Sequence, residues 1–533
     1  IDPLSLATQN DTLYINRDIV HTNFSAQDRS YAVFTPALRQ VMYLYDEHGM
    51  LVEEAFPSSG VAPIQYAYDD RGRLAGLTQG SQEWSFGLDS RGRLVTFDDA
   101  AGRRVTYAYD AADRQTRMVL PSGRTYDFAY NANGDLVQLT MPNGTRHLFE
   151  RTPSGSFFTY QLPDGNMYTT QYDLDQRRAS VTLPMGDTEL FTYDATGNIA
   201  TISYPEALVQ FVYSGTPASC CICGDGQMTI TRAPTLGMAQ SIDLVYDGHL
   251  LIGTTMSGAA NADYAIAYDE YGTPVSITLD GTETTPFVFD ADGELTAYGP
   301  FSIGRSGPMG SVSQIADATL VVNYTYDAYG SVVARNHLVN GVNVYALALE
   351  LDPADNLLGK TETKGGIGEN IGYRYNADGE LSMVLRNGVA VEEYDYDWNR
   401  NRSGAARNGG TSESASYDIV DRLTSRGAVA YQFDDNGCMV ARASDTFVYS
   451  ARGELLQAHL DGGATITYTY DGLGRLVART DGTGTRQYLY GGIASMFLVT
   501  EYRDVGGELT RFFYDDYGAL YAMRRGVEWF YVA

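Results

Sequence analysis

Hydrophobic and polar residues alternate along most of this chain in short runs, and each run stops at an Asp, Asn or Gly. The stretch Tyr66–Leu74, YAYDDRGRL, shows the form. Tyr66 and Tyr68 are two residues apart, the period that puts side chains on one face of a strand. The Asp-x-x-Gly that follows predicts a turn. Asp69 suits the first position of a type I turn, where its carboxylate can bond the backbone two residues on, and Gly72 suits a left-handed residue closing it. Together they predict a three-residue hairpin loop with a G1 bulge. That register sets Asp69 opposite Arg73 on one side and Tyr68 opposite Leu74 on the other.

The unit recurs about every 21 residues, through Tyr68, Leu88, Tyr109 and Tyr130, then Tyr172 and Tyr193, Tyr246, Tyr268 and Phe289, Tyr375, Tyr396 and Tyr417, and Tyr449, Tyr470 and Tyr490. Roughly twenty copies predict hairpins at Asp110, at Asp290 with Gly293, at Asp471 with Gly474 and at Asp515 with Gly518. The doublets Tyr107/Tyr109, Phe287/Phe289, Tyr394/Tyr396, Phe447/Tyr449 and Phe512/Tyr514 predict an aromatic ladder from hairpin to hairpin. About forty strands in one sheet twist too strongly to stay flat, and a closed sheet of that size is too wide for its own side chains to fill. The expected fold is therefore all-β: a long, spiralling antiparallel sheet of hairpins forming a large hollow barrel-like shell over residues 1–533. No Pro/Ser-rich linker divides it. The pattern is least regular over the first forty residues and near 150–167, 205–240 and 300–320, which are expected as loops or insertions.

Composition sharpens this picture. Tyr (41) and Gly (56) are abundant, the strand former and the turn former of an all-β chain. Hydrophobic residues make up 44% and charged ones 19%, which excludes a disordered polymer. The formal net charge of −29 argues against a nucleic-acid partner or an anionic membrane surface. No apolar stretch is long enough to span a bilayer as a helix. The start IDPLSLATQN has no signal-peptide pattern, and with the ending VEWFYVA the chain reads as an excerpt of a longer protein.

Candidate chemistry is sparse. Gly-x-Ser-x-Gly, His-Glu-x-x-His and P-loop patterns do not occur, so no catalytic residue and no cofactor is expected. GGIGENIG from Gly365 breaks dinucleotide-loop spacing. The six histidines, His21, His48, His147, His249, His337 and His459, are scattered and read as surface or turn residues. DADGE from Asp290 and NADGE from Asn376 resemble calcium loops, yet the hairpin accounts for them without a metal. Cys220 and Cys223 in SCCICGDG have metal-knuckle spacing but only half a zinc ligand set, so free thiols, a disulfide and a metal all remain open. Asn-x-Ser/Thr sites at Asn10, Asn23, Asn143, Asn323 and Asn401 read as coincidental.

The Tyr-Asp-x-x-Gly-Arg-Leu copies, among them YTYDGLGRLVART from Tyr468 and FFYDDYGALYAM from Phe512, resemble the YD repeats of the Rhs and teneurin families from about Tyr45 onward. The run from Tyr417 is similar to the approach to the end of a teneurin shell. This resemblance implies a non-enzymatic, secreted or cell-surface shell, expected as a monomer. In bacterial Rhs proteins and insecticidal toxin complexes such a shell encloses a C-terminal toxin, so the implied partner is a polypeptide cargo. In teneurins it serves adhesion, implying a cell-surface protein or glycan partner. The arginine-rich, lysine-poor usage points to a bacterial genome. The Asp-Pro-x-Gly self-cleavage signature of Rhs proteins is absent: Asp2-Pro3 and Asp352-Pro353 do not match it.

Overall fold

The computed structural model describes residues 7–15, 18–57, 59–215, 226–492 and 495–532. These residues form fifty strands, and their one helical segment is a 3-10 turn at Pro308–Gly310. Compactness divides the chain into two units, each made of two runs of sequence: Ile1–Phe128 with Pro286–Ser412, and Ala129–Thr285 with Glu413–Ala533.

In both units strands pair antiparallel with their sequence neighbours, and the predicted register is the observed one. Tyr68 pairs with Leu74 across a bulge between Ala67 and Tyr68. Tyr375–Leu381, Tyr470–Leu476 and Tyr514–Leu520 repeat that geometry. The bulge arises because the loop needs one residue with positive φ, which shifts the strand by one place.

In the first unit, Ala32, 9% exposed, is the one buried hydrophobic residue of 7–128 among those described. The strands Leu51–Ala55, Leu74–Gln79 and Leu94–Asp98 are half-buried at every position, as in a sheet without a second layer. The partner run has a denser centre at Phe301, Ile315, Leu320 and Val322. The second unit holds a cluster of Ile202, Tyr204, Val209, Ile230, Ile242 and Leu244, capped by Ala451 and Leu473 from its other run.

Of three segments expected as loops or insertions, two carry strands among the described residues and the third is short-stranded. Residues 150–167 are not an insertion: the strands Phe157–Gln161 and Met167–Tyr172 follow ordinary hairpin loops. Their turns, TPSG and LPDG, have Thr and Leu in place of Asp at the first position but keep the glycine at positive φ, 87° at Gly155 and 94° at Gly165, with a Pro that presets the preceding corner. Residues 205–240 carry two long paired strands, Ala207–Gly215 and Gly226–Pro234. Near 300–320 the strands are short, Phe301–Gly304 and Gln314–Ala316, on either side of the 3-10 turn.

Candidate functional site

The repeated turn is a recurring polar arrangement among the described residues. In the first full copy, Gly72 N donates to the Asp69 carbonyl at 2.9 Å, and Gly72 has φ +72°. Asp69 Oδ1 accepts the backbone N–H groups of Arg71 and Arg73 at 2.9 and 3.0 Å. Asp69 Oδ2 accepts Arg73 Nε at 2.8 Å. The other predicted turns repeat it: Asp110, Asp290, Asp471 and Asp515 each accept the N–H groups two and four residues on. Gly293, Gly474 and Gly518 have φ of 79°, 78° and 74°, and Asp113 adopts 64° at the equivalent place. The Arg73 guanidinium, followed by backbone N–H donors, holds Asp69 at a pKa of about 2. Asp89 is likewise near 2, through the Arg93 backbone and side chain. Cys220 and Cys223 lie outside the described residues.

Two couplings that the sequence reading missed join several hairpins to the next. The repeat tyrosine donates its hydroxyl to the carbonyl of the leucine two residues past the preceding turn glycine. Tyr68 reaches Leu51 at 2.7 Å, Tyr109 reaches Leu94 at 2.8 Å, Tyr396 reaches Leu381 at 2.7 Å and Tyr490 reaches Leu476 at 2.7 Å. The repeat arginine also reaches forward. Arg73 Nη1 donates to the Asp89 carbonyl at 2.9 Å and Arg93 Nη1 to the Asp110 carbonyl at 3.0 Å. Arg93, Arg177 and Arg475 stack on the rings of Tyr109, Tyr193 and Tyr490, 4.9, 4.5 and 4.5 Å from the centres. Burial pushes the Tyr490 hydroxyl up to about 12, so it remains a donor. The expected aromatic ladder is therefore local, as in Phe149–Tyr160–Tyr168 with ring separations of 5.2 and 6.0 Å. At these repeat positions the ring face takes an arginine instead. A signal was present in the sequence: tyrosine outnumbers phenylalanine at the second aromatic position, and only tyrosine has a hydroxyl to donate.

Within each unit, turns of the later run meet loops of the earlier one. In the first unit, Arg39 bonds Asp290 at 2.5 Å and also Asp292. Tyr329 Oη contacts Ser81 Oγ at 2.7 Å. Arg124, 6% exposed, bonds Asp378 at 2.5 Å and Glu380 at 3.0 Å. Burial alone would raise Glu380, but hydrogen bonds from Asn376, Arg400 and Arg124 leave it below the ordinary carboxylate range. The calcium-like DADGE and NADGE loops thus hold arginines. In the second unit, Arg232 forms a two-pronged pair with Glu454 at 2.8 and 2.6 Å. Buried Glu501 accepts from Tyr264 and Thr500, both at 2.6 Å, and from Arg511 at 2.9 Å.

The histidines do not all lie at the surface. His337 is 1% exposed, and neither ring nitrogen has a hydrogen-bond partner. Tyr345 meets it edge-on at 5.3 Å. Burial, then the Arg335 charge, lowers its pKa to about 4. Of the strand Val332–Val339, His337 is the one buried position.

Comparison with known proteins agrees with this geometry. Human teneurin-4 is 26% identical over 533 residues, covering 95% of this chain and 19% of its own length. Mouse teneurin-3 is 27% identical over 88% of this chain and 17% of its own length. The chain thus spans less than a fifth of these relatives. Among solved structures, TcdB2-TccC3 without its hypervariable C-terminal region aligns over 96% of this chain and 34% of its own, with a TM-score of 0.57 and 13% identity. The Photorhabdus luminescens Tc holotoxin pore aligns over 97% of this chain and 32% of its own, with a TM-score of 0.55 and 12% identity. These two share the fold. The family model described as Teneurin YD-shell matches residues 6–533, and the chain belongs to the teneurin YD-shell family.

Proposed function

We propose that this chain is a non-enzymatic shell, a single body over residues 1–533, whose sheet encloses a polypeptide cargo, such as the C-terminal toxin of an Rhs-type polymorphic toxin, in a secreted or cell-surface protein. The observation that carries this reading is the single-layer sheet of residues 7–128, where no described hydrophobic residue is fully buried and Ala32 alone is buried at all. Ordinary domains bury a sheet face against a second layer. A sheet left half-covered over this length suits an enclosing wall. The structural neighbours support it, since one is described without a hypervariable C-terminal region and another as a holotoxin pore.

A protease-sensitive reporter fused after residue 533 tests the reading. Protection of the reporter in the intact fusion, and its digestion once the shell is unfolded, are the expected results. Equal digestion in both states overturns it. Small-angle scattering adds a second criterion. A solid globule of this length has a radius of gyration of about 24 Å, and an enclosing shell, as a monomer, exceeds it.

A second reading, teneurin-like adhesion or surface display, is favoured by teneurin similarity over 88–95% of the chain. Its glycan-binding form loses one platform, because the ring faces of Tyr109, Tyr193 and Tyr490 carry arginines. An unprotected reporter together with capture of the protein by cell surfaces would select this reading.

A further inference from the structure

In the first unit, the register builds one continuous cross-strand row. It runs Ile303, Ile315, Val322, His337, Tyr345 and Lys364, each opposite the next. Ile303 through Tyr345 are buried, and the Lys364 side chain at the end is 67% exposed. His337 thus sits between an aliphatic core and a tyrosine ring. Its strand, Val332–Val339, also gathers unmet polar groups. Nine buried side-chain polar atoms among the described residues have no hydrogen-bond partner, and four of them belong to three consecutive residues: Arg335 Nε, Asn336 Oδ1 and both ring nitrogens of His337. The pairing of this strand with Val342–Leu351 slips by one residue between His337 and Leu338.

Each unmet group costs stability even while the imidazole is neutral. A proton on His337 adds a charge where nothing receives it. Arg335 on its own strand and Lys364 on Leu357–Lys364 each lie 6.0 Å from the centre of the Tyr345 ring, so two cations already flank the ring that His337 meets edge-on. On Leu320–Tyr326 the titratable neighbour is Tyr324, opposite Arg335. The Glu362 carboxylate accepts the Tyr345 hydroxyl at 3.1 Å and pairs with Lys364 at 3.0 Å and Lys360 at 3.4 Å, so it is already engaged. Burial and then the Arg335 charge both act against the protonated ring. A buried cation without a partner is driven toward water. This ring is held inside a paired strand, so it reaches water only if the strand lets go.

We propose that His337 is an acid-operated release in the first unit: its protonation unpairs Val332–Val339 from the strands on either side, while the second unit stays closed. The second unit has no counterpart among the described residues. His147 contacts the Tyr160 hydroxyl at 2.8 Å, His459 contacts the Thr465 hydroxyl at 3.0 Å, and His249 lies in an exposed turn. The fold favours the neutral ring, so the closed state is preferred above the ordinary histidine pKa and opening grows as pH falls below it. The release concerns how this sheet opens, and it stands whether or not the sheet holds a cargo.

Hydrogen–deuterium exchange of the full chain at pH 7.5 and pH 5.0 tests it, with rates corrected for the intrinsic effect of pH on amide exchange. Protection over Leu320–Tyr326, Val332–Val339 and Val342–Leu351 is expected to fall about tenfold or more at the lower pH. The second unit's Ile199–Tyr204, Gly226–Pro234 and Gln240–Asp247 should keep theirs. His337→Phe, and His337→Leu as a smaller apolar replacement, should each abolish the fall. Unchanged protection at pH 5.0, an equal fall in both units, or a fall that persists in either folded variant would each overturn the release. The first two outcomes are read from the parent protein alone, so the test stands even if neither variant folds.

Discussion

Arg475 of one hairpin lies over the ring of Tyr490 in the next, 4.5 Å from its centre. The same guanidinium bonds Asp471 at 2.7 Å, where the two side chains are 3% and 2% exposed. In the first copy the equivalent pair, Arg73 with Asp69, is 28% and 27% exposed. One motif thus occupies two dielectric environments. Arg475→Ala leaves a buried, unpaired carboxylate and is expected to cost about 3–5 kcal/mol. Arg73→Ala should cost roughly 0–1 kcal/mol. Urea titrations of both variants check this, and equal losses would show that burial does not set the strength of the pair.

The tyrosine latch is separable from the ring. Tyr490→Phe keeps an aromatic face beneath Arg475 but removes the donor to the Leu476 carbonyl. A loss of about 0.5–1.5 kcal/mol is expected. A Phe variant as stable as the parent would mean the hydroxyl bond contributes nothing net.

Gly474 occupies the left-handed region at φ +78° with no side chain pressed against it, Glu454 Oε1 lying 3.7 Å from where a Cβ would sit. Natural copies place Asp113, Gln176, Asp355 and Arg400 at the same turn position, with φ between 60° and 75°. Unbranched polar residues are therefore tolerated. Gly474→Asn should be mild and Gly474→Val worse by on the order of 1–2 kcal/mol. Calorimetric melts of the two variants decide; identical midpoints would contradict the turn geometry.

Gly472, two residues earlier in the same turn, is constrained by space instead. A methyl group there would lie 2.4 Å from Ile230 Cγ2 and 3.3 Å from Val209 Cγ1, within the second unit. Ile230 is fully buried. Gly472→Ala is expected to cost about 1–3 kcal/mol by overpacking, with faster amide exchange around Ile230. The added Ile230→Val change should recover part of that loss. An additive double variant would show that the two runs are not packed at this point.

Acid stability has two separate sources. His337 has a folded-state pKa of about 4 against an ordinary 6.5, so the fold favours the neutral ring. That stability is present above pH 6.5 and is lost as pH falls toward 4, by about 3 kcal/mol in all. The turn carboxylates Asp69 and Asp89 are depressed to about 2, so their contribution is present above the ordinary carboxylate pKa and is lost as pH falls toward 2. Denaturant midpoints against pH should show both windows, and His337→Phe should flatten the upper one alone. An unchanged slope between pH 6.5 and 4 would exclude His337 as its source.

What the sequence disclosed was local. Asp69, Gly72, Tyr68 and Leu74 sit within seven residues of one another, and side-chain period plus turn chemistry fix their relationship. The loops near 150–167 were hidden because Pro and Gly had taken over from Asp. Arg39 with Asp290 and Arg124 with Asp378 are separated by 251 and 254 residues, and no periodicity marks one arginine for a particular distant carboxylate. His337 looked like a surface or turn residue because nothing in the run RNHLV marks a histidine for burial.

That separation has a consequence for synthesis. At about 5–20 residues per second, a ribosome that has just made Arg124 needs roughly 13–50 s to deliver Asp378, 254 residues later. Hairpins close in about 1–10 μs. For nearly all of that interval the nascent strands must persist on the Asp-to-backbone, Arg-to-carbonyl and Tyr-to-carbonyl bonds made with their immediate neighbours. Each newly emerged hairpin is then the template against which the following one registers, and an error at one turn would be inherited by the next rather than corrected from a distance.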